Sequence, residues 1–170
     1  MEVLILSDSH GRSRNITEVL ARQKQNPDLF IHLGDGLRDL DAIDYFPSMP
    51  PFYAVKGNCD AFEFSLSFPC HEEYLLALGG HTAFLTHGAR YGVKGGLGAL
   101  LAAAAQKGAD LVLYGHTHTP HLEILEKGTE LRGVILQRPM YVFNPGSLAQ
   151  GSFGTLTIRN EQVLFSHGEL

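Results

Sequence analysis

The sequence predicts an α/β protein built as a four-layer α/β/β/α sandwich with two mixed β-sheets. Three observations lead there. The first third alternates apolar strand-like runs with amphipathic helical stretches, the later chain is rich in short strands with turn signals between them, and no linker, repeat or low-complexity tract separates the two parts. At 170 residues the chain reads as a single domain, 1–170.

The elements follow in order. Val3 to Leu6 is a strand, Asn15 to Gln25 a helix with Ile16, Val19 and Leu20 on one face, and Ser13 its expected N-cap. Leu29 to Leu33, Leu37 to Phe46 and Phe52 to Val55 continue as strand, helix and strand, giving βαβαβ. The runs VLIL and LFIHL are nearly continuous in apolar residues, as parallel strands covered on both faces should be. After Asp60, EYLLAL and HTAFLTH flank Gly79 and Gly80, a pair suited to the positive φ angles of a tight turn. Leu97 to Lys107 reads as an alanine-rich helix ended by Gly108 in the C′ position, leading into the strand DLVLY. From His121, HLEIL, YVFN, FGTLTI and QVLFSH are short strands bounded by Gly, Pro or Asn. Two sheets result, packed face to face with helices on their outer faces.

Composition narrows the function. Thirteen Lys and Arg against eighteen Asp and Glu give a formal charge of -5, so there is no basic footprint for a nucleic-acid polymer. Cys59 and Cys70 are too few for a secreted disulfide framework, and reduced thiols are expected. The chain enters a strand at once without a basic leader, and its most apolar later stretch, Leu97 to Ala105, is too short to span a bilayer. A cytoplasmic protein without a membrane partner is the expectation, and the late apolar strands permit a homo-oligomer.

Five polar clusters stand at the carboxyl ends of predicted strands, where α/β proteins place their ligands: SDSHG at 7–11, GDG at 34–36, GNCD at 57–60, THG at 86–88 and GHTH at 115–118. Each alone has a bland reading. Asp8 serves as a helix cap, and Gly-Asp-Gly is ordinary turn chemistry. Asp8 and His10 converge if the strand stays extended beyond Leu6. GHTH weighs more, since solvation does not explain two histidines beyond so apolar a strand. Together the clusters supply two carboxylates (Asp8, Asp35), one amide (Asn58) and four imidazoles (His10, His87, His116, His118). These are too many donors for one transition metal, but they give four ligands to each of two if one carboxylate bridges. The expected cofactors are two divalent metal ions. Mn²⁺ comes first, and Ni²⁺, Co²⁺, Fe²⁺ and Zn²⁺ are compatible with the same mixed donors.

The motifs D-x-H, G-D, G-N-x-D, H-G and G-H-T-H, in this order, resemble the calcineurin-like metallophosphoesterase superfamily from Met1 to about Gly151, NPGS at 144–147 included. The likeness is greatest to its small bacterial and archaeal phosphodiesterase branch. The resemblance implies a four-layer sandwich, one metal on Asp8, His10, Asp35 and His118, and a second on Asp35, Asn58, His87 and His116, with Asp35 as the bridge. It also implies that NPGS lies near the site and supports the motif loops. Asp35, Asn58, Cys59 and His116 are then the catalytic candidates. Cys59 stands where many relatives carry a histidine acting near the leaving group, and Ala89 where this branch often reads H-G-H.

The expected activity is hydrolysis of small phosphodiesters by a water acidified between two metal ions. Arg12, Lys56 and Arg90 are the substrate-binding candidates. His32, His71, His81, His121 and His167 fall outside the clusters and read as structural or exposed, with a supporting role beside Gly34 and Asp35 as the alternative for His32. Two other functions compete. One is a non-catalytic metal-binding interaction scaffold, as in the retromer subunit that resembles this fold but lacks a complete catalytic set. The other is a nuclease, which the charge disfavours.

Overall fold

The computed structural model of the chain describes residues 1–43, 50–60 and 66–170. Strand β1 (Glu2–Leu6) is followed by α1 (Ser13–Arg22), β2 (Leu29–His32), α2 (Leu37–Asp41) and β3 (Phe52–Ala54), in the expected βαβαβ order. Next come the hairpin β4 (Glu73–Leu78) and β5 (His81–Thr86), then α3 (Gly98–Gln106), β6 (Leu111–Leu113) and β7 (His121–Leu125). A ribbon of β8 (Glu130–Leu131) and β9 (Val134–Ile135) precedes β10 (Met140–Asn144), β11 (Ser152–Arg159) and β12 (Gln162–Glu169). One sheet has the order β12-β11-β1-β2-β3 and the other β4-β5-β6-β10-β7. Both are mixed: β1, β2 and β3 run parallel beside antiparallel β11 and β12, and β5, β6 and β10 run parallel between antiparallel β4 and β7.

Side-chain alternation along β1 explains the layers. Val3 and Ile5 face a core shared with Ile31, Leu85, Leu113 and Phe143, which lies between the sheets. Leu4 and Leu6 face the other way, onto Ile16 and Val19 of α1 and Leu37 and Leu40 of α2. On the far side, Phe84, Val112, Met140 and Val142 meet Leu100, Leu101 and Ala104 of α3. Three cores thus separate four layers, as predicted. A strand covered on both faces needs an apolar residue at every position, each buried leucine or phenylalanine contributing roughly 2 kcal/mol, and this is why VLIL shows no polar alternation.

Several boundaries differ from the expectation. Ser13 is the first helical residue rather than the N-cap; Arg12 takes the cap position without a side-chain bond. The Arg12 N–H already closes on Ser9 O at 2.9 Å and Asn15 N–H on Arg12 O at 2.9 Å, so α1 turns directly out of the SDSHG loop. It ends at Arg22, short of Gln25, because Gln23 is extended and Pro27 cannot continue a helix. Helix α2 covers only the start of the expected Leu37–Phe46 stretch, whose end lies outside the described residues. The β8–β9 ribbon was not expected, since two residues per strand carry no readable period.

Other signals hold in detail. Gly79 and Gly80 have φ of 54° and 89° in the β4–β5 turn. Gly108, at φ 70°, ends α3 with its N–H on Ala105 O and the Ala109 N–H on Ala104 O, both at 3.0 Å, which satisfies two terminal carbonyls. Cys59 and Cys70 are free. Among the described residues no helix is long and apolar enough to cross a membrane.

Candidate metal centre

The five motif loops leave the carboxyl ends of β1, β2, β3, β5 and β6, and backbone pairing carries on into them. Asp8 N–H bonds Gly34 O at 2.9 Å, His10 N–H bonds Asp35 O at 3.2 Å, and Gly115 N–H bonds His87 O at 3.1 Å. The first two bonds tie two loops of one sheet together, and the third ties two loops of the other. His116 N–H, 3.0 Å from Asp8 Oδ2, joins the sheets at this edge.

The backbone here is left-handed. Asp8, His10, Asp35, His116 and His118 have φ of 54°, 43°, 56°, 68° and 62°, which makes them five of the eight non-glycine residues with positive φ among those described. Such a conformation costs about 1 kcal/mol per residue and persists only where surrounding contacts impose it. This corrects the expectation of an extended D-x-H segment: the chain turns at Asp8 and again at His10, and those turns, rather than strand alternation, aim both side chains inward.

Two groups of donors form. In the first, Asp8 Oδ1 lies 3.2 Å from His118 Nε2 and 3.7 Å from His10 Nε2, and the two nitrogens are 3.1 Å apart. Asp8 is fully buried, and its Oδ2 accepts from the Ser7 hydroxyl at 2.5 Å and from His116 N–H. Its Oδ1 makes no hydrogen bond among the described residues. An unsatisfied buried carboxylate oxygen is costly, at about 1–3 kcal/mol or more, unless a cation meets it.

In the second group, His87 Nε2 lies 3.2 Å from Asn58 Oδ1, 3.2 Å from His116 Nδ1 and 3.4 Å from Asp35 Oδ2. His87 Nδ1 is 2.7 Å from Leu33 O. A carbonyl only accepts, so Nδ1 carries a proton and Nε2 is the ring atom turned toward the centre. His10, Asp35 and Cys59 also offer atoms within 4.8 Å of one another, so Asp35 stands within reach of both groups. The unpartnered Asp8 oxygen and the nitrogen-and-oxygen donor set fit a bound divalent cation.

Asp60, the last residue of GNCD, has a role that its motif does not disclose. It is buried, and its Oδ2 accepts from Asp35 N–H at 2.7 Å and Gly57 N–H at 2.9 Å, while Oδ1 accepts from Gly36 and Leu37 N–H at 3.1 Å each. One carboxylate thereby clamps two motif loops. Gly57 must be glycine, since a Cβ there would overlap Asp35 Oδ1 and its backbone nitrogen. Asp39 was missed as well, because an acid in the first turn of a helix reads as an ordinary dipole partner. Its Oδ2 accepts from the Ser9 hydroxyl at 2.6 Å and Gly11 N–H at 2.8 Å.

His32 supports these loops from behind. Its Nδ1 accepts from Gly34 N–H at 3.2 Å, so Nε2 carries the proton, 3.4 Å from Ser9 Oγ. Burial holds it below its ordinary pKa and keeps it neutral. NPGS does what the resemblance implied. Asn144 Nδ2 donates to Gly115 O at 2.8 Å and Thr117 Oγ1 at 3.1 Å, and the Ser147 hydroxyl donates to Asp8 O at 2.9 Å.

Charge within the site is coupled. Burial opposes ionisation of Asp35, but the His87 ring and the Cys59 N–H, 2.7 Å from Oδ1, hold its carboxyl well below the usual carboxylate range. Burial, then His87 and Lys94, push His116 down. Local desolvation and the Asp35 carboxylate raise the Cys59 thiol to about 11 in the metal-free chain. Lys94 had no motif to announce it; it sits in the glycine-rich segment after β5.

Of the substrate-binding candidates, Lys56 and Arg90 line a cleft of about 390 Å³ together with Asn58, His87 and Ala89. Arg90 is partly engaged, 3.4 Å from Glu72 and 3.5 Å from Glu73. Arg12 stands at the start of α1 and does not line this cleft. The remaining histidines lie outside the donor groups, as expected: His71 packs on Tyr74, His81 is 2.8 Å from Asp110, His121 is 3.5 Å from Glu123, and His167 is 2.8 Å from Asn144 O.

Two mixed sheets in four layers, with imidazole, carboxylate and amide donors gathered at one shared edge, define the class as an α/β metalloprotein. The chain belongs to the calcineurin-like phosphoesterase superfamily, whose domain model matches residues 1–161. It is 34% identical over 161 residues to the probable metallophosphoesterase YsnB of Bacillus subtilis (strain 168), covering 95% of this chain and 86% of that protein. Among solved structures it is similar to a conserved uncharacterized protein, a predicted phosphoesterase, from Streptococcus pneumoniae TIGR4, with TM-score 0.70 and 25% identity over 99% of this chain and 88% of that one. An archaeal phosphodiesterase aligns with TM-score 0.66 and 20% identity over 98% and 99% of the two chains. Wild-type Vps29 complexed with Zn²⁺ from Entamoeba histolytica aligns with TM-score 0.64 and 20% identity over 99% of each. These last two show the shared fold.

Proposed function

We propose that the chain is a phosphodiesterase acting on small phosphodiesters, with two divalent ions, Mn²⁺ first among them, held at the shared edge of the sheets. Asp8, His10, Asp35 and His118 would hold one ion and Asp35, Asn58, His87 and His116 the other. The observation that carries this is the unpartnered Oδ1 of buried Asp8, facing two imidazole nitrogens beside a second donor group that opens onto a cleft. When bound, such ions acidify a water, hold the phosphoryl oxygens and offset developing charge. The chain's own residues do the positioning. Leu33 O fixes the tautomer of His87, Asp60 holds the Asp35 and Gly57 backbone, and Ser147 holds Asp8. Cys59, beside Asn58 in the GNCD loop, is the candidate proton donor to the leaving group, and a thiol next to bound cations tends to ionise and is a poor donor. Diesters with good leaving groups, which need little protonation, suit this site.

The second reading is a non-catalytic scaffold. A Vps29 complexed with Zn²⁺ shares the fold, so metal binding alone does not separate the two, and turnover does. With Mn²⁺ loaded, the protein should hydrolyse bis-p-nitrophenyl phosphate, lose that activity to a chelator, and regain it when Mn²⁺ is restored. Failure on activated diesters with Mn²⁺, Ni²⁺ and Co²⁺ alike would favour the scaffold.

A further inference from the structure

We propose that the cleft beside Asn58 and His87 is a subsite for a second anionic group of the substrate. The substrate class is then a phosphodiester whose retained alcohol carries a phosphate or a carboxylate, an inference that rests on the phosphodiesterase reading above.

The cleft measures about 390 Å³ and is continuous with the donor cluster, because Asn58 and His87 form part of its wall. That volume exceeds the needs of a phosphate alone and falls in the range of sites that take a sugar or nucleoside. Its polar lining is unequal in sign. Lys56, half-buried, is held in place through its backbone, whose N–H bonds His71 O at 2.8 Å, and its ammonium has no ion-pair partner among the described residues. Arg90 comes from the short turn Ala89–Tyr91 after β5.

Two acids stand near Arg90, but they are not equivalent. Glu73 is already met by the Tyr91 hydroxyl at 2.5 Å and by Lys107 at 3.6 Å. That leaves Glu72 as the acid in the cleft wall, 3.4 Å from Arg90 and exposed. Lys56 and Arg90 against Glu72 leave one net positive charge. Exposed pairs of the Arg90–Glu72 kind contribute little, so an incoming anion can replace Glu72 at low cost. Ala89 adds only a methyl group to this wall, which leaves the two cations as its recognition chemistry.

The probes are thymidine 5′-(p-nitrophenyl phosphate) with and without a 3′-phosphate, and, for equilibrium binding to the Mn²⁺-loaded protein, thymidine 5′-monophosphate and thymidine 3′,5′-bisphosphate. Wild type should favour the 3′-phosphorylated member of each pair by about tenfold or more at low salt, less at high salt. Lys56→Ala should bring both ratios close to one, and Lys56→Arg should restore most of the preference. A wild type without preference, or a Lys56→Ala variant that keeps it, overturns the subsite. If neither ester is hydrolysed, the phosphodiesterase reading fails, and the binding ratio still decides the subsite.

Discussion

Asp35→Ala should lose at least about 10³-fold in kcat on bis-p-nitrophenyl phosphate and should bind less metal, while remaining folded. Asp35 is the residue whose atoms lie within reach of both donor groups, with Oδ2 3.4 Å from His87 Nε2 and its carboxylate grouped with His10 and Cys59. Removing it takes one ligand from each proposed ion. The cost to the fold is modest by comparison. Cys59 N–H loses its acceptor at the edge of an open site, about 1 kcal/mol, and an alanine keeps the left-handed turn at about another 1 kcal/mol. Circular dichroism, a thermal melt and metal analysis on one preparation separate lost chemistry from lost structure. Full activity in the metal-loaded variant would remove Asp35 from the centre.

Asp60→Asn should have the largest effect on stability of any single polar change at the site. Each carboxylate oxygen of Asp60 receives two backbone N–H groups, and an amide would turn an NH₂ toward two of those donors. Breaking a buried, charge-assisted network of this kind costs roughly 3–5 kcal/mol, which corresponds to about 10 °C or more in Tm for a chain of this length. The GDG loop would also lose its anchor, so metal affinity should fall about 10–100-fold. Unlike Asp35→Ala, the variant should recover activity in excess Mn²⁺, since every proposed ligand remains. Unchanged Tm and metal affinity would show that the clamp is dispensable.

The contrast between these two residues shows where sequence is informative. Asp35 was legible because a carboxylate between glycines at a strand end, taken with Asp8, Asn58 and four histidines in similar places, makes a donor set that turn chemistry does not explain. Asp60 sat in an equally visible motif, yet its work is done through backbone N–H groups 23 to 25 residues earlier and at Gly57, and residue type does not disclose such partners. The layers were legible for a related reason. Val3 and Ile5 serve one core and Leu4 and Leu6 another, so the absence of alternation itself marks a strand covered on both faces.

Local geometry was harder to read. The left-handed turns at Asp8, His10, Asp35, His116 and His118 are imposed by bonds such as Asp8 N–H to Gly34 O and by Ser147 on Asp8 O, all of them distant in sequence. Propensity favours glycine most in such turns and tolerates Asp and His, but it does not single out these five among the chain's other Asp and His residues. The lost cap at Ser13 has the same origin, since the preceding loop closes first. Arg90 was visible as a cation but not as the partner of Glu72, which reaches it from the segment entering β4.

Metal stoichiometry tests the shared-edge centre most directly. The purified chain would be loaded with Mn²⁺, freed of excess ion, and analysed for metal per chain, with electron paramagnetic resonance to read coupling between neighbouring ions. The donor arrangement predicts two Mn²⁺ per chain with a coupled signal, whereas a single uncoupled ion, or none, would contradict a centre joined through Asp35.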